Sequence, residues 1–388
     1  MSGGVVFLQK ELADFFGRRY CVLTNRGTTA LTASLHALNR PVGTKVLFPA
    51  ALCSVPVFAS RFAGWTPVFA DVSLDDGNFD LNDVQRVLEE GGVGAVVPIH
   101  MFGKPDDMNR LKDLCQKSGA DLLEDGALSM GACFEDRPVG ALGRLSCLSF
   151  VRKMLPLEMG GAVLTDELEL AERVKRFVDQ YPPEEIERRD EVSAAMKAFH
   201  ALTGYVAAGG WARGALLDPF EEEFKRLLLA STSEADWDGS IVLEETRSLA
   251  DGVQARRVRA EVLDTSLIHP LIKPLDRTGS SLFAYPFRVE GISVEKLLDF
   301  SSRAGYPYQR IAYPVVSRVF GDPSFYPNAE RLEREVMGIS VNEQDPVSSF
   351  WATAETFLTV LNQFLASNEC HRPFDTRGKL ELRMGGNR

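Results

Sequence analysis

Cysteine is scarce and scattered in this chain. Six residues, Cys21, Cys53, Cys115, Cys133, Cys147 and Cys370, include no CxxC pair, and most sit in apolar segments. That argues against a disulfide frame or a zinc ribbon and reads as reduced cytosolic thiols. The five histidines are dispersed, which suggests no metal cluster. Positive charge is in deficit, with a formal net charge of −11. Such a surface does not favour nucleic acid or an anionic membrane, although a local basic pocket is compatible with it. No apolar run approaches the roughly 20 residues of a membrane span, and the N-terminus has no basic-then-apolar signal pattern. No internal repeat is present. The expectation is a soluble, cytoplasmic protein of ordinary globular composition, 45% hydrophobic and 25% charged over 388 residues. That length suits about two or three domains, or one large domain with a smaller partner.

What is there is alternation. Residues 6–17 read as a helix, with Phe7, Leu8, Leu12, Phe15 and Phe16 at helical spacing. Tyr20 to Leu23 is a short apolar strand, ended by the polar turn Thr24-Asn25-Arg26-Gly27. Thr28 and Thr29 open a helix that continues from Ala30 to Leu38. Free amides and two hydroxyls at a helix start suit a phosphate. Taken alone, threonine capping of a helix with no ligand explains the same residues. Strands follow at 45–48, 67–70, 93–99 and 121–123, and helices at 54–63, 81–90 and 106–118. Strands alternating with helices imply a mainly parallel sheet covered on both faces, with ligands at the carboxyl ends of its strands. Asn25-Arg26-Gly27, His100, Glu124-Asp125 and a loop containing Lys153 all lie at such ends.

The stretch from Leu145 to Thr165 holds that loop. An apolar strand, Leu145 to Phe150, leads past Lys153 and Pro156 to Gly160-Gly161 and a second strand, Ala162 to Thr165. Burial disfavours the ammonium form, so a lysine here is suited to shed its proton and form a Schiff base with a carbonyl. A lysine snorkelling from a strand end is the plain alternative. Beyond it, residues 167–181 read as a helix. Residues 182–260 are helix-rich and charge-rich, an excursion or part of a subunit interface. Residues 283–289 read as a strand, 293–304, 329–336 and 347–365 as helices, and 307–312 as extended chain. The division expected is a large domain over 1–260, a small α/β domain over 261–370, and a polar, basic tail over 371–388 expected to be disordered.

Three elements form a chemical set: a phosphate-sized anion site at Gly27, Thr28 and Thr29, a carboxylate at Asp125 and a lysine at Lys153. Pyridoxal phosphate needs such a set, with an anchor for its phosphate, an amine for its aldehyde and an acid paired with its pyridine nitrogen. The freed lysine amine can then move a proton between substrate and cofactor. Ser149, on the strand before Lys153, can add a hydroxyl to the phosphate. Taken singly, Asp125 reads as a loop cap and Ser149 as a solvated strand-end serine.

These residues lie in motifs that resemble the DegT/StrS family of fold-type I, pyridoxal phosphate-dependent aminotransferases. The motifs are TNRGTTAL (24–31), PVFADV (67–72), VPIHMFG (97–103), LLEDGALSMGA (122–132), RPVGALG (137–143) and SFVRKMLPLEMGG (149–161), in that order. The likeness covers most of 5–180 and, more weakly, 280–365. It implies a large mainly parallel sheet domain flanked by helices, plus a smaller α/β C-terminal domain. It also implies Lys153 as the Schiff-base lysine, Asp125 as the pyridine-nitrogen partner, and Gly27, Thr28 and Ser149 as phosphate contacts. A homodimer with active sites near the interface, and an amino acid donor such as glutamate, follow from the same likeness. The acceptor expected is a keto or aldehyde group of a sugar or sugar nucleotide.

The chain departs from the family pattern at several positions. Leu128 stands where many members carry Gln or His. Ala51-Leu52-Cys53-Ser54 stands where many carry an aromatic ring to stack on the cofactor, and Cys53 can lie against that ring without stacking. The loop before Lys153 is one residue shorter than the commoner pattern. No segment in the middle third matches the family's glycine-, asparagine- and arginine-containing stretch. These departures keep two other readings open, elimination or dehydration by the same cofactor and a non-catalytic, degenerate family member. Retention of both Lys153 and Asp125 argues against the last. His100 reads equally as a catalytic group or as a strand-end histidine satisfied by backbone. Arg26 suits a phosphate, a substrate carboxylate or a nearby acid. Tyr308, Gln309 and Arg310 are expected where the C-terminal domain approaches the cleft, with Tyr308 and Arg310 as substrate contacts.

Overall fold

The alternation read along the chain builds one large mixed sheet. The computed structural model describes residues 3–150, 160–183, 189–207, 218–232, 238–306, 308, 311, 313–320, 322 and 324–367. In chain order the elements are α1 (Gly3–Phe15), β1 (Tyr20–Thr24), α2 (Gly27–Ala37), β2 (Lys45–Pro49), α3 (Ser54–Phe62), β3 (Thr66–Ala70), α4 (Leu81–Glu89), β4 (Val93–Val96), α5 (Met108–Ser118) and β5 (Asp121–Asp125). A two-residue pair follows, β6 (Cys133–Phe134) and β7 (Arg137–Pro138), then β8 (Leu145–Ser149), β9 (Gly161–Thr165) and α6 (Leu168–Val178). The remainder is α7 (Arg189–Ala207), α8 (Asp218–Leu228), α9 (Gly239–Ser266), β10 (Ile272–Pro274), β11 (Ala284–Val289), α10 (Val294–Arg303), α11 (Pro327–Glu335), β12 (Val336–Ser340) and α12 (Ser349–Ala366).

The large sheet has seven strands in the order β1-β9-β8-β5-β4-β2-β3. Strands β8, β5, β4, β2 and β3 are parallel, and β9 runs antiparallel to both of its neighbours. The carboxyl ends of β1, β2, β3, β4, β5 and β8 therefore share one edge. Central strand β4 is buried at every position, which is why it reads as a short apolar run with no alternation. Helices start and stop on local signals. Asp80 caps α4 through the Asn82 and Asp83 amides, and α5 ends at Gly119, whose φ of 74° suits glycine.

A second, antiparallel sheet, β10-β11-β12, packs with α10 and α12 around Phe287, Phe357 and Phe364. Helix α9 joins the two cores. Val242, Leu243 and Leu249 pack with α1, whereas Ala260, Leu263 and Leu267 pack with the second sheet. The chain then returns to the large sheet. Ala51 pairs with Val315, and the Val316 amide donates to the Ala50 carbonyl at 2.8 Å. Asp71, just past β3, accepts from the Asn328 and Ala329 amides at 3.0 and 2.9 Å and so caps α11.

Two local expectations change. The strand expected over 93–99 ends at Val96, because Pro98 has no amide to donate and His100 turns left-handed at φ 54°. The helix expected over 329–336 ends at Glu335, and the chain enters β12 directly, pairing Val336 with Arg288. A five-residue apolar strand abutting a helix leaves no turn signal to separate the two. Among the described residues, no helix is long and apolar enough to cross a membrane, and no cluster of three or more His, Cys, Asp or Glu could hold a metal.

Candidate active site

The register of three strands assembles the proposed phosphate site. Gly161 of β9 pairs with Thr24 of β1 on one side and with Ser149 of β8 on the other. The chain leaving β1 bridges Arg26 to Gly160 and enters α2 at Gly27. A methyl group on Gly27 would stand 2.8 Å from Ser149 Cβ, so glycine alone allows this approach. Gly161 is confined as tightly, with a methyl falling 2.7 Å from the Arg26 carbonyl carbon and from Leu148 O. The start of α2 thus lies against the end of β8. Arg26 occupies the cap position and makes no capping bond through its side chain. The first-turn amides of a helix have no intrahelical partner and carry the positive end of its dipole.

Thr28 and Thr29 differ in how they face this turn. Thr28 is half-buried at the helix start. Thr29 is fully buried, and its hydroxyl lies 2.5 Å from Asn25 Oδ1 and 3.0 Å from Leu228 O.

Asp125 closes β5 on the same sheet edge, paired with Cys147 of β8, two residues short of Ser149. Its backbone amide donates to Pro98 O at 3.0 Å, and its Oδ1 accepts the Ala127 amide at 2.9 Å. Cys147 Sγ lies 3.2 Å from Ser34 Oγ, and burial pushes its thiol up, which makes it an inert core group.

Glu124, one residue earlier, faces another set of partners. It is fully buried and accepts the Ser146 hydroxyl at 2.6 Å and the Leu142, Gly140 and Gly143 amides at 2.9, 3.0 and 3.2 Å. Burial opposes its charge, but the hydrogen bonds from His100, Ser146 and the Gly140 amide outweigh burial and hold the carboxyl below the usual range. His100 completes the group. Its Nδ1 accepts the Asp106 amide at 3.1 Å, which leaves Nε2 to carry the proton toward Glu124 Oε1 at 3.2 Å. Both ring nitrogens of this fully buried histidine are engaged inside the protein, so His100 presents none to a substrate. The sequence gives one signal for this structural role of Glu124: a Glu-Asp doublet followed by the glycine-rich RPVGALG, whose amides the carboxylate gathers.

The remaining candidates are spread. Cys53 is half-buried at the cap of α3, beside the Ala51–Val315 bridge, and Ser54 next to it lies 3.5 Å from the Thr203 hydroxyl. Leu128 is buried, and its carbonyl accepts the Ser281 hydroxyl at 3.3 Å. Tyr308 is not among the gathered residues. Its ring packs edge-on to Phe357 of α12 at 5.2 Å, and burial pushes its phenol up to about 12. Lys153, Gln309 and Arg310 lie outside the described residues.

The residues present fit pyridoxal phosphate. Gly27 lies so close to Ser149 that a Cβ would not fit between them, this contact is at a helix N-terminus, and Asp125 stands on the same sheet edge.

Comparisons with known proteins bear on the family and the fold. The sequence model described as the DegT/DnrJ/EryC1/StrS aminotransferase family matches residues 5–205. A GDP-4-keto-6-deoxy-D-mannose 3-dehydratase from Yersinia pseudotuberculosis is 26% identical over 290 residues, 72% of this chain and 69% of that protein. A GDP-perosamine synthase from Vibrio cholerae is 28% identical over 207 residues, 51% of this chain and 48% of its own. Among solved structures, Helicobacter pylori PseC, an aminotransferase involved in the biosynthesis of pseudoaminic acid, superposes with a TM-score of 0.72 at 18% identity. That match covers 93% of this chain and 92% of the other, and at this identity it shows a shared fold.

Proposed function

Because the chain belongs to the DegT/DnrJ/EryC1/StrS aminotransferase family, we propose that it is a pyridoxal phosphate-dependent aminotransferase acting on a sugar or sugar nucleotide. The amino donor would be an amino acid such as glutamate, and the acceptor a keto or aldehyde group. The observation that carries this reading is the register placing Thr24, Gly161 and Ser149 side by side, with Gly27 against Ser149 and Asp125 on the same edge.

When bound, the cofactor supplies an electron-withdrawing ring that takes up negative charge developing at the substrate carbon. The chain's own groups do the rest. The amides of Gly27 and Thr28, with the Ser149 hydroxyl, would hold the phosphate dianion at the positive end of α2. The Asp125 carboxylate would favour a proton on the ring nitrogen. Lys153, assigned by its sequence position, would hold the cofactor through its amine and, when free, would carry a proton at the substrate carbon. Arg26, at the mouth of the turn, suits an anionic group of the substrate. Cys53 would lie against the ring without stacking on it. A homodimer in the cytoplasm is part of the same reading.

One observation favours a second reading, dehydration by the same cofactor. The relative named a dehydratase aligns over 72% of the chain, against 51% for the synthase, and Leu128 and Cys53 stand where many family members carry a Gln or His and an aromatic ring. One experiment separates the two. Purified protein should bind pyridoxal phosphate and, after borohydride reduction, carry phosphopyridoxyl on Lys153 by peptide mass spectrometry. An unlabelled Lys153 in saturated protein overturns both. Conversion of the bound cofactor to its amine by glutamate, with amino group appearing on a keto-sugar nucleotide, supports transamination. Loss of a hydroxyl from that sugar, with no amino group retained, supports dehydration.

A further inference from the structure

Helix α8 belongs to the stretch whose sequence carries no motif, yet its carboxyl end meets the phosphate turn. The Leu228 carbonyl lies in the last turn of α8, where carbonyls have no intrahelical partner. It accepts Asn25 Nδ2 at 3.2 Å and the Thr29 hydroxyl at 3.0 Å. That hydroxyl also lies 2.5 Å from Asn25 Oδ1, so its single proton is shared between the two oxygens. Asn25 and Thr29 are both fully buried, and they bracket Gly27 and Thr28. Two further contacts dock the helix. Glu221 forms a two-pronged ion pair with Arg61 of α3, at 3.0 and 2.6 Å, and Phe224 packs 4.3 Å from Phe199 of α7, which in turn meets Phe58 of α3 at 4.7 Å.

We propose that docking of α8 and capture of the cofactor phosphate are coupled through Thr29 and Asn25. Thr29 is thus a positioning residue, its hydroxyl turned to the helix and away from the ligand. This inference rests on the pyridoxal phosphate reading above. The amides of Gly27 and Thr28 face the anion only while the residues on either side are held from behind. The Gly160 amide holds the Asn25 carbonyl at 2.7 Å, and one carbonyl of α8 holds the side chains of Asn25 and Thr29. Coupling of this kind is reciprocal, so whatever factor α8 adds to phosphate affinity, the phosphate returns to the docking of α8.

The test compares wild type, Thr29→Val and Thr29→Ser. Pyridoxal phosphate affinity is measured by titration, and amide hydrogen exchange is followed in peptides covering 218–229, with and without the cofactor. In wild type the cofactor should slow exchange across α8. Thr29→Val removes the shared proton and should weaken cofactor binding by roughly tenfold, speed exchange in α8 and abolish the cofactor's effect on it. Thr29→Ser keeps the hydroxyl and should restore all three. Glu221→Gln loosens α8 from the α3 side without touching the turn, and it too should weaken cofactor binding. It carries the test should Thr29→Val fail to fold. Weaker binding in Thr29→Val with exchange in α8 unchanged would mean that Thr29 touches the phosphate, and it overturns the proposal. So does a wild-type protein that binds the cofactor with no change in α8. A wild-type protein that takes up no cofactor overturns the functional reading itself and the coupling with it.

Discussion

Replacing Gly27 with alanine should cost this protein both stability and cofactor. The new methyl would lie 2.8 Å from Ser149 Cβ, the next atoms being Ser149 Oγ at 3.3 Å and Cα at 3.6 Å. Ordinary carbon contacts begin near 3.4 Å, so about 0.6 Å must be found by moving the backbone of α2 or β8, since a Cβ cannot rotate away. Such overpacking costs about 1–3 kcal/mol. The strain is relieved partly in the fold and partly by lifting the turn off β8. The loss is then divided between the unfolding free energy of the cofactor-free protein, from urea titration, and pyridoxal phosphate affinity, from absorbance titration. If all of it fell on affinity, the drop would be about 5- to 150-fold. Ser149→Gly supplies the control. Without Ser149 Cβ the nearest atom is the Cα at 3.6 Å, an ordinary contact, so the penalty of Gly27→Ala in that background should fall below about 0.5 kcal/mol. The single variant Ser149→Gly should itself lose affinity through its missing hydroxyl. An equal penalty for Gly27→Ala in both backgrounds would refute the claim that the turn is pressed against β8.

Asp71→Ala removes the carboxylate that caps α11, leaving the Asn328 and Ala329 amides without it. A loss of about 1–2 kcal/mol in urea unfolding is expected, with Asp71→Asn losing less, and an unchanged midpoint would refute the cap. Asp106 is fully buried, and burial, reinforced by Asp76, pushes its carboxyl up to about 7. Because its folded pKa lies above the unfolded value, its neutral form favours the fold, fully below about pH 4. That contribution is lost as pH rises toward and through 7. Asp106→Asn should therefore be more stable relative to wild type at pH 8 than at pH 4, by up to about 4 kcal/mol, as measured by urea midpoints at the two pH values. A pH-independent difference would show that the carboxyl ionises without penalty.

The strand ends that frame the site were legible because buried parallel strands announce themselves as apolar runs and their ends as polar turns. The Thr24-to-Thr29 turn, Asp125 and Ser149 could all be placed at one edge before any register was known. The register then brought them together. Side-chain direction was not legible. Thr28 and Thr29 are chemically alike and adjacent, yet the partner that turns the Thr29 hydroxyl inward lies 199 positions away, at Leu228. His100 is a similar case. Its orientation follows from the Asp106 amide on one side and Glu124 on the other, and it is not implied by a histidine at a strand end.

The same distinction explains why the middle of the chain could not be read. Residues of α8 carry no motif because the contact they make at the phosphate turn is a backbone carbonyl, which any sequence supplies. What the sequence of α8 must specify is only that the helix ends there. Glu221 and Phe224 do this by fixing the helix to Arg61 and Phe199, at a distance from the turn itself. A segment that acts on a site through its backbone is under no local compositional constraint at the point of contact. Its influence therefore becomes visible only when the docking side chains and the contacted turn are traced in one structure.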